Sequence, residues 1–387
     1  MSLCASPVNT GAAMLPGMTM AGPTVLTRRA LNRATLARQL LLERSSMSVL
    51  DLTDELVGLQ AQTPHTWYVG FWSRLADARP ETISQLLESR ELVRLGLMRS
   101  TIHLVTAEDA MSMRPLLDPV LRKPLSNFAK NLVGLDTAEL AAVGKDLLAV
   151  EPMMFSELGR AMARRWPDRD PASLAQAVRA HEALVQVTPR GLWGRSGQAR
   201  HTTLQAWLGR DLGPGMSRQA LVLRYLRAYG PASVRDVQTW CGLSRLAEVV
   251  EELRPALLVL TDEEGRELFD LPDAPRPPED VPAPVRLVYD FDNLLLSHAD
   301  RSRFITPSAQ AQDFDPHGPM PRMVLVDGVT AGVWTHERTP DSSIITIRAF
   351  GRFDPDTVAE CEAEGASLAS FVDPDVPHHD VRVLAGA

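Results

Sequence analysis

Residues 217–253 read SRQALVLRYLRAYGPASVRDVQTWCGLSRLAEVVEEL, and the reading of this stretch decides the fold. Ser217–Tyr229 is expected to be helical. Ser233 and Asp236 stand three apart, the spacing at which an N-cap hydroxyl and a carboxylate satisfy each other's backbone N–H groups. Gly242 falls where a left-handed residue ends a helix. Ser244 is then placed to cap the next helix, whose stripe is Leu246, Val249, Val250 and Leu253. A strand over Leu257–Thr261 follows. Helix, tight glycine turn, capped helix and strand predict a helix-turn-helix with its wing.

The same order recurs upstream. Thr27 is a plausible N-cap for a helix with Ala30, Ala34, Ala37 and Leu41 on one face. Ser48 and Asp51 have capping-box spacing before a helix with Leu52, Leu56 and Leu59. Thr63-Pro64 has the form of an N-cap with proline at the first helical position, which predicts a third helix over Pro64–Leu75. A helix near Glu81–Ser89 and an apolar hairpin over about Leu92–Val105 complete a first unit. A second unit has helices at Phe155–Trp166 and Ala172–His181 and a Gly-rich hairpin over Val185–Leu204. Residues 272–284 hold six prolines and read as a linker. Beyond it strands dominate, joined in one case through Asp327-Gly328, with a helix beginning at the cap Asp354.

The fold class expected is therefore α+β, with three tandem winged helix-turn-helix units and a small C-terminal β-rich module. The boundaries are 24–135, 136–214 and 215–271 for the three units, 272–284 for the linker and 285–387 for the acidic module. Residues 1–23, which carry no Lys, Arg, Asp or Glu, read as a disordered leader. They lack the basic start and apolar run of a secretory signal, so the cytoplasm, beside the nucleoid, is the expected location.

Composition narrows the function. Of 387 residues, 45% are hydrophobic and 23% charged, an ordinary globular balance. No run approaches the ~18 apolar residues of a membrane helix. Cys4, Cys241 and Cys361 are too scattered for a disulfide framework or a zinc site. No phosphate-binding glycine loop is present, and neither a metal nor a cofactor is expected. The net charge of −8 hides an asymmetry: residues 1–250 carry 29 Lys+Arg against 22 Asp+Glu, whereas residues 251–387 carry 11 against 26. The basic half suits DNA.

Several residues could carry chemistry. Gln60-Ala61-Gln62 lies between two helices and is followed by His65, Trp67, Tyr68, Phe71 and Trp72. As a bare string Gln-x-Gln means little, and Gln310-Ala311-Gln312 repeats it. One of the pairs Trp67/Phe71 and Tyr68/Trp72 belongs in the core; the other has the spacing to line a groove where a base stacks. Arg99, Thr101 and His103 share one face of an extended strand and would offer a phosphate backbone a cationic, hydrogen-bonding strip, or simply face water. Arg190, Arg195 and Arg200 lie in a glycine-rich segment without acidic residues, as a DNA-tracking wing would. Asp51, Asp54 and Glu55 are better explained by helix capping and dipole than by general-base work. Asp290 and Asp292 lack further ligands at a metal-binding spacing.

The order of several motifs resembles the AlkZ/YcaQ family of winged-helix DNA glycosylases. They are Leu26–Gln39, Val57-Gly-Leu-Gln-Ala-Gln62, Arg99-Ser-Thr-Ile-His-Leu-Val105, Arg190-Gly-Leu-Trp-Gly194 and Asp292–Arg303. The resemblance implies three winged helices around a concave DNA channel. It also implies excision of N7-alkylated purines from double-stranded DNA, and unhooking of crosslinks left by an alkylating antibiotic. Gln60 and Gln62 match the family's catalytic loop in its Gln-x-Gln form; Gln310 and Gln312 match nothing in it. An amide holds a water but has no useful pKa, so Gln62 is expected to position the nucleophile while Gln60 fixes the water or the sugar. Three winged helices in one chain suit a monomer enclosing DNA. The rival readings are a DNA-binding regulator without catalysis and a protein that sequesters the drug itself.

Overall fold

A computed structural model describes residues 24–312, 314 and 321–386, so the expected leader lies outside the described residues. The fold is α+β. Its elements run β1 (Val25–Leu26), α1 (Arg28–Arg38), α2 (Val49–Glu55), β2 (Leu59–Gln60), α3 (Trp67–Trp72), α4 (Pro80–Glu88), β3 (Leu92–Gly96) and β4 (Ile102–Thr106). Next come α5 (Ala107–Arg122), α6 (Thr137–Val150), α7 (Phe155–Ala163), α8 (Pro171–His181), β5 (Leu184–Gln186), β6 (His201–Thr203) and α9 (Leu204–Leu208). Then follow α10 (Arg218–Tyr229), α11 (Val234–Cys241), α12 (Ala247–Leu253), β7 (Leu258–Asp262) and β8 (Glu267–Asp270). The last part holds β9 (Arg286–Leu287), α13 (Pro307–Gln310), β10 (Arg322–Val326), β11 (Val329–Arg338), β12 (Ser342–Ala349), α14 (Pro355–Val372) and β13 (His378–Leu384).

Local chemistry explains most of these boundaries. The Ser233 hydroxyl accepts from the Asp236 amide at 3.3 Å, and the Asp236 carboxylate accepts from the Ser233 amide at 2.8 Å. Gly242 ends α11 with φ +83°. Thr27 and Ser48 cap α1 and α2 through their hydroxyls. Two expected helix starts move. Ser244 does not cap α12: Arg245 adopts φ +59°, and the Gln238 side chain takes the Leu246 amide at 3.0 Å. Likewise α3 begins at Trp67 rather than Pro64, because His65 adopts φ +71° and breaks the helical path.

The hairpins do not stand apart. β3 pairs with β5, joining both upstream hairpins into one sheet of order β2-β4-β3-β5-β6. The segment 272–284 is irregular but strapped to α1: Arg33 donates to the Val281 carbonyl at 2.6 Å and Arg29 to the Glu279 carbonyl at 2.8 Å. The C-terminal sheet, of order β13-β12-β11-β10-β9, shares a core with the first helices. Trp67, Tyr68, Phe71 and Trp72 pack with Leu287, Tyr289, Trp334 and Ile345 in one continuous cluster. Burial of each large side chain there contributes roughly 1.5–3 kcal/mol.

Candidate active site

The Gln60–Gln62 loop is fixed from three directions. β2 pairs with β4, with Gln60 opposite His103. Gly58 precedes it at φ +86°, where an added Cβ would stand 2.4 Å from Val105, so only glycine passes. From the C-terminal part, Tyr289 donates its hydroxyl to the Gln60 carbonyl at 3.0 Å, and the Asn293 side-chain carbonyl accepts from the Gln60 amide at 3.2 Å. The Asn293 amide group donates to the Gly58 carbonyl at 2.7 Å and to the Tyr229 hydroxyl at 3.0 Å. Beside it Asp292 forms a fully buried two-point pair with Arg74, at 2.7 and 2.9 Å. Asp292 is therefore a structural ion-pair partner, and Asp290 accepts from the Thr66 hydroxyl at 2.6 Å.

The two amides differ. Gln60 is buried, and its side-chain oxygen accepts from the Arg99 guanidinium at 2.6 Å. The same guanidinium donates to the Trp240 carbonyl at 2.7 Å, tying the first hairpin to α11. Arg99 and Ser100 both have positive φ, +54° and +59°, which turns this side chain inward. Gln62 is exposed, and its oxygen accepts from the Ile102 amide at 3.2 Å. Each amide oxygen has a second lone pair and each carries an NH2 group. The pair can orient a water or a sugar oxygen, but neither member moves a proton at neutral pH.

Several of the expected contacts are corrected. Trp67 and Tyr68 are fully buried, Trp67 stacked on Tyr68 at 4.2 Å, and neither reaches a base. Arg94 lies over Trp67, Ser84 and half-buried Trp193 lie against Tyr68, and Trp72 packs against Phe371 of α14. His103 is also fully buried, facing Arg99 and the core rather than a phosphate; burial pushes its pKa down to about 3. Arg99 is a partner of Gln60 and not a member of an exposed strip, since strand β4 begins only at Ile102. Thr101 donates its hydroxyl to the Met98 carbonyl at 3.0 Å and closes that turn. His65 is half-buried with its Nε2 enclosed and without a partner. Of the second hairpin's arginines, Arg190 donates to the Gly197 carbonyl and Arg200 to the Pro152 carbonyl, each at 2.9 Å, while Arg195 is exposed. Asp54 is engaged by Arg224 at 2.8 Å.

Tyr289 and Asn293, which hold the loop, went unassigned from sequence. The only available signal was that Asp292–Arg303 stands among the ordered motifs, which marks a segment and not a contact. No described helix is long and apolar enough to cross a membrane.

The Gln60–Gln62 loop and the residues that clamp it, Tyr289 and Asn293, all lie within the span that the sequence model of a known family matches. A sequence model described as "DNA glycosylase AlkZ-like" matches residues 53–371, and the chain belongs to that family of DNA glycosylases. Among individual proteins, it is similar to the interstrand DNA cross-link repair glycosylase of Streptomyces sahachiroi, at 24% identity over 318 residues, 77% of this chain and 84% of the relative. The solved structure of the Streptomyces sahachiroi DNA glycosylase AlkZ superimposes with a TM-score of 0.75 and 20% identity, over 93% of this chain and 100% of that one.

Proposed function

We propose that this glycosylase hydrolyses the bond between deoxyribose and N7-alkylated purines in duplex DNA, and unhooks interstrand crosslinks made through such bases. The crosslink reading is supported by the name of the 24%-identical relative. In the host, such unhooking would serve DNA repair or resistance to a DNA-alkylating antibiotic. The three runs of helices ending in a hairpin are read as winged helices around a DNA channel, with Arg195 contacting phosphate and a single chain sufficient to enclose the duplex.

The observation that carries the catalytic reading is the exposed Gln62 amide on a loop whose neighbour Gln60 is fixed at backbone and side chain by Asn293, Tyr289 and Arg99. Alkylation at N7 makes the purine a cation, so the C1′–N9 bond is already weak. As that bond breaks, its electron pair goes to N9, the purine leaves neutral and positive charge passes to the sugar. The oxygen of a water held by Gln62 bonds to C1′ and its proton passes to solvent. Gln60 fixes the same water or the sugar. Catalysis then consists of placement and of amide dipoles directed at the developing cation, which suits groups without a titrating proton.

The test is incubation with duplexes carrying 7-methylguanine, a defined N7-guanine crosslink or uracil, scoring abasic sites. Release from the first two and none from uracil is expected. Excision of uracil, a neutral base, or tight binding with no release from any substrate would overturn the proposal.

A further inference from the structure

Beside Gln62 lies a cavity of about 220 Å³ that the two amides do not account for. Its floor is the end of the five-stranded sheet, where Ile102, Gln186 and His201 sit on β4, β5 and β6. Its wall is built by Phe155, at the start of α7, and by Arg179 and Glu182 at the end of α8.

Two polar atoms on the floor are buried and unpaired: Gln186 Oε1 and His201 Nδ1. Each such atom costs about 1–3 kcal/mol unless something binds it. His201 is 4% exposed and stacked on Phe155 at 4.2 Å. Burial pushes its pKa down to about 4, so the ring is neutral and one nitrogen remains an acceptor. On the wall, Arg114 is already committed to Asp118 and to the Glu182 carbonyl. Arg179 has no carboxylate partner among the described residues, and its guanidinium lies 5.6 Å from the Phe155 ring centre. The Glu182 carboxyl has no cationic partner within ion-pair distance among the described residues, and burial raises its pKa. The cavity therefore presents acceptor oxygens on Gln186 and Glu182, a neutral His201 ring whose unpaired Nδ1 accepts in the Nε2–H tautomer, and one cationic donor, Arg179.

We propose that the target guanine turns out of the duplex and that this cavity reads its Watson–Crick edge, with Arg179 donating to O6 and with Gln186, Glu182 and His201 accepting from N1–H and the N2 amino group. The inference rests on the glycosylase reading above and supplies its specificity. Guanine offers on that edge one acceptor, O6, followed by two donors, N1–H and the N2 amino group, whereas adenine offers an amino donor where O6 would be and an acceptor at N1. An adenine would therefore set its amino group against Arg179 and leave the Gln186 and Glu182 acceptors poorly used. N7 alkylation modifies the opposite edge and leaves this recognition intact. Arg179 also favours cleavage over binding, because the purine is cationic beside it before the bond breaks and neutral afterwards.

The experiment compares the wild-type chain, Gln186→Leu and the conservative Gln186→Glu, which keeps an acceptor oxygen. Single-turnover release is measured from matched duplexes holding 7-methylguanine or 7-methyladenine, and binding of the two free bases is measured by calorimetry. The wild type is expected to prefer 7-methylguanine in both assays. Gln186→Leu should lose about tenfold on 7-methylguanine, about 1.4 kcal/mol, with 7-methyladenine changed less than about twofold, and Gln186→Glu should restore the preference. Equal losses on both bases, or no loss on either, would overturn the pocket assignment. Were the wild type to release no base at all, the glycosylase reading would fall, and free-base binding would decide the pocket: a guanine preference abolished by Gln186→Leu supports it, and no preference refutes it.

Discussion

Arg99 shows how one side chain gives the loop its chemistry. Its guanidinium holds the Gln60 oxygen at 2.6 Å and the Trp240 carbonyl at 2.7 Å, so the buried amide has one orientation, with its NH2 left to act on water or sugar. Replacing it by a side chain without donors, Arg99→Met, removes a charge-assisted bond worth about 1.5–3 kcal/mol. Single-turnover release of 7-methylguanine is expected to fall roughly 10–100-fold, while affinity for the lesion duplex stays within about twofold; a parallel loss of binding would show that Arg99 contacts DNA directly. Gln62→Asp, which keeps an acceptor, should retain activity that Gln62→Ala loses. At this scale the sequence was legible only in part. The glutamines stand out through the family resemblance, since the same tripeptide recurs at 310–312. Trp67 and Tyr68 misled because an aromatic helix has the same spacing whether a ligand or distant parts of the chain cover it, and His103 because alternation along a strand does not tell a solvent face from a covered one.

Elements were read well where a cap or a glycine fixed them and poorly where backbone strain intervened. The Ser233–Asp236 box, Gly242 and the two upstream hairpins follow from their residues, whereas of the third hairpin only the strand β7 was read and its partner β8 was not. The starts of α3 and α12 shifted because His65 and Arg245 adopt positive φ, which a non-glycine side chain does not announce. Helix α5 was not anticipated: Pro115 and Pro119 lie inside it, and proline ordinarily argues against a helix interior. Between elements, Asn293 is the connection that spacing cannot reveal, joining a C-terminal turn to the residues flanking β2. Asn293→Ala would leave the Gly58 carbonyl and the Gln60 amide without this partner, at about 1–3 kcal/mol for each buried group. Denaturant unfolding should show that loss, with faster hydrogen exchange at the Gln60 amide. Unchanged exchange there would mean that the loop is held by β4 and Tyr289 alone.

The molecule as a whole places a basic amino-terminal part, which would face DNA, on an acidic carboxy-terminal part that braces the loop, and the two share one core. Composition and the proline-rich stretch set the C-terminal part apart in the sequence, and the shared core joins it to the first helices. The fold also buries histidines in neutral form. Burial pushes His103 down to about 3 and His201 to about 4, and lowers His298 as well. An unfolded histidine titrates near 6.5, so below that pH the unfolded chain binds more protons and stability falls. The raised carboxyls of Asp109 and Glu182 act in the opposite sense, leaving a net loss. The unfolding free energy is expected to drop by about 2 kcal/mol or more between pH 7.5 and pH 5; a flat profile would show that these rings are protonated in the folded chain.

The central claim is that two uncharged amides direct water onto a sugar already primed by alkylation. Single-turnover release of 7-methylguanine, on duplex held at saturating protein, tests it with the wild-type chain and Gln60→Ala/Gln62→Ala. The account predicts that the double variant binds the duplex normally and releases base at least about a hundredfold more slowly. Release at the wild-type rate by a fully bound double variant would contradict it.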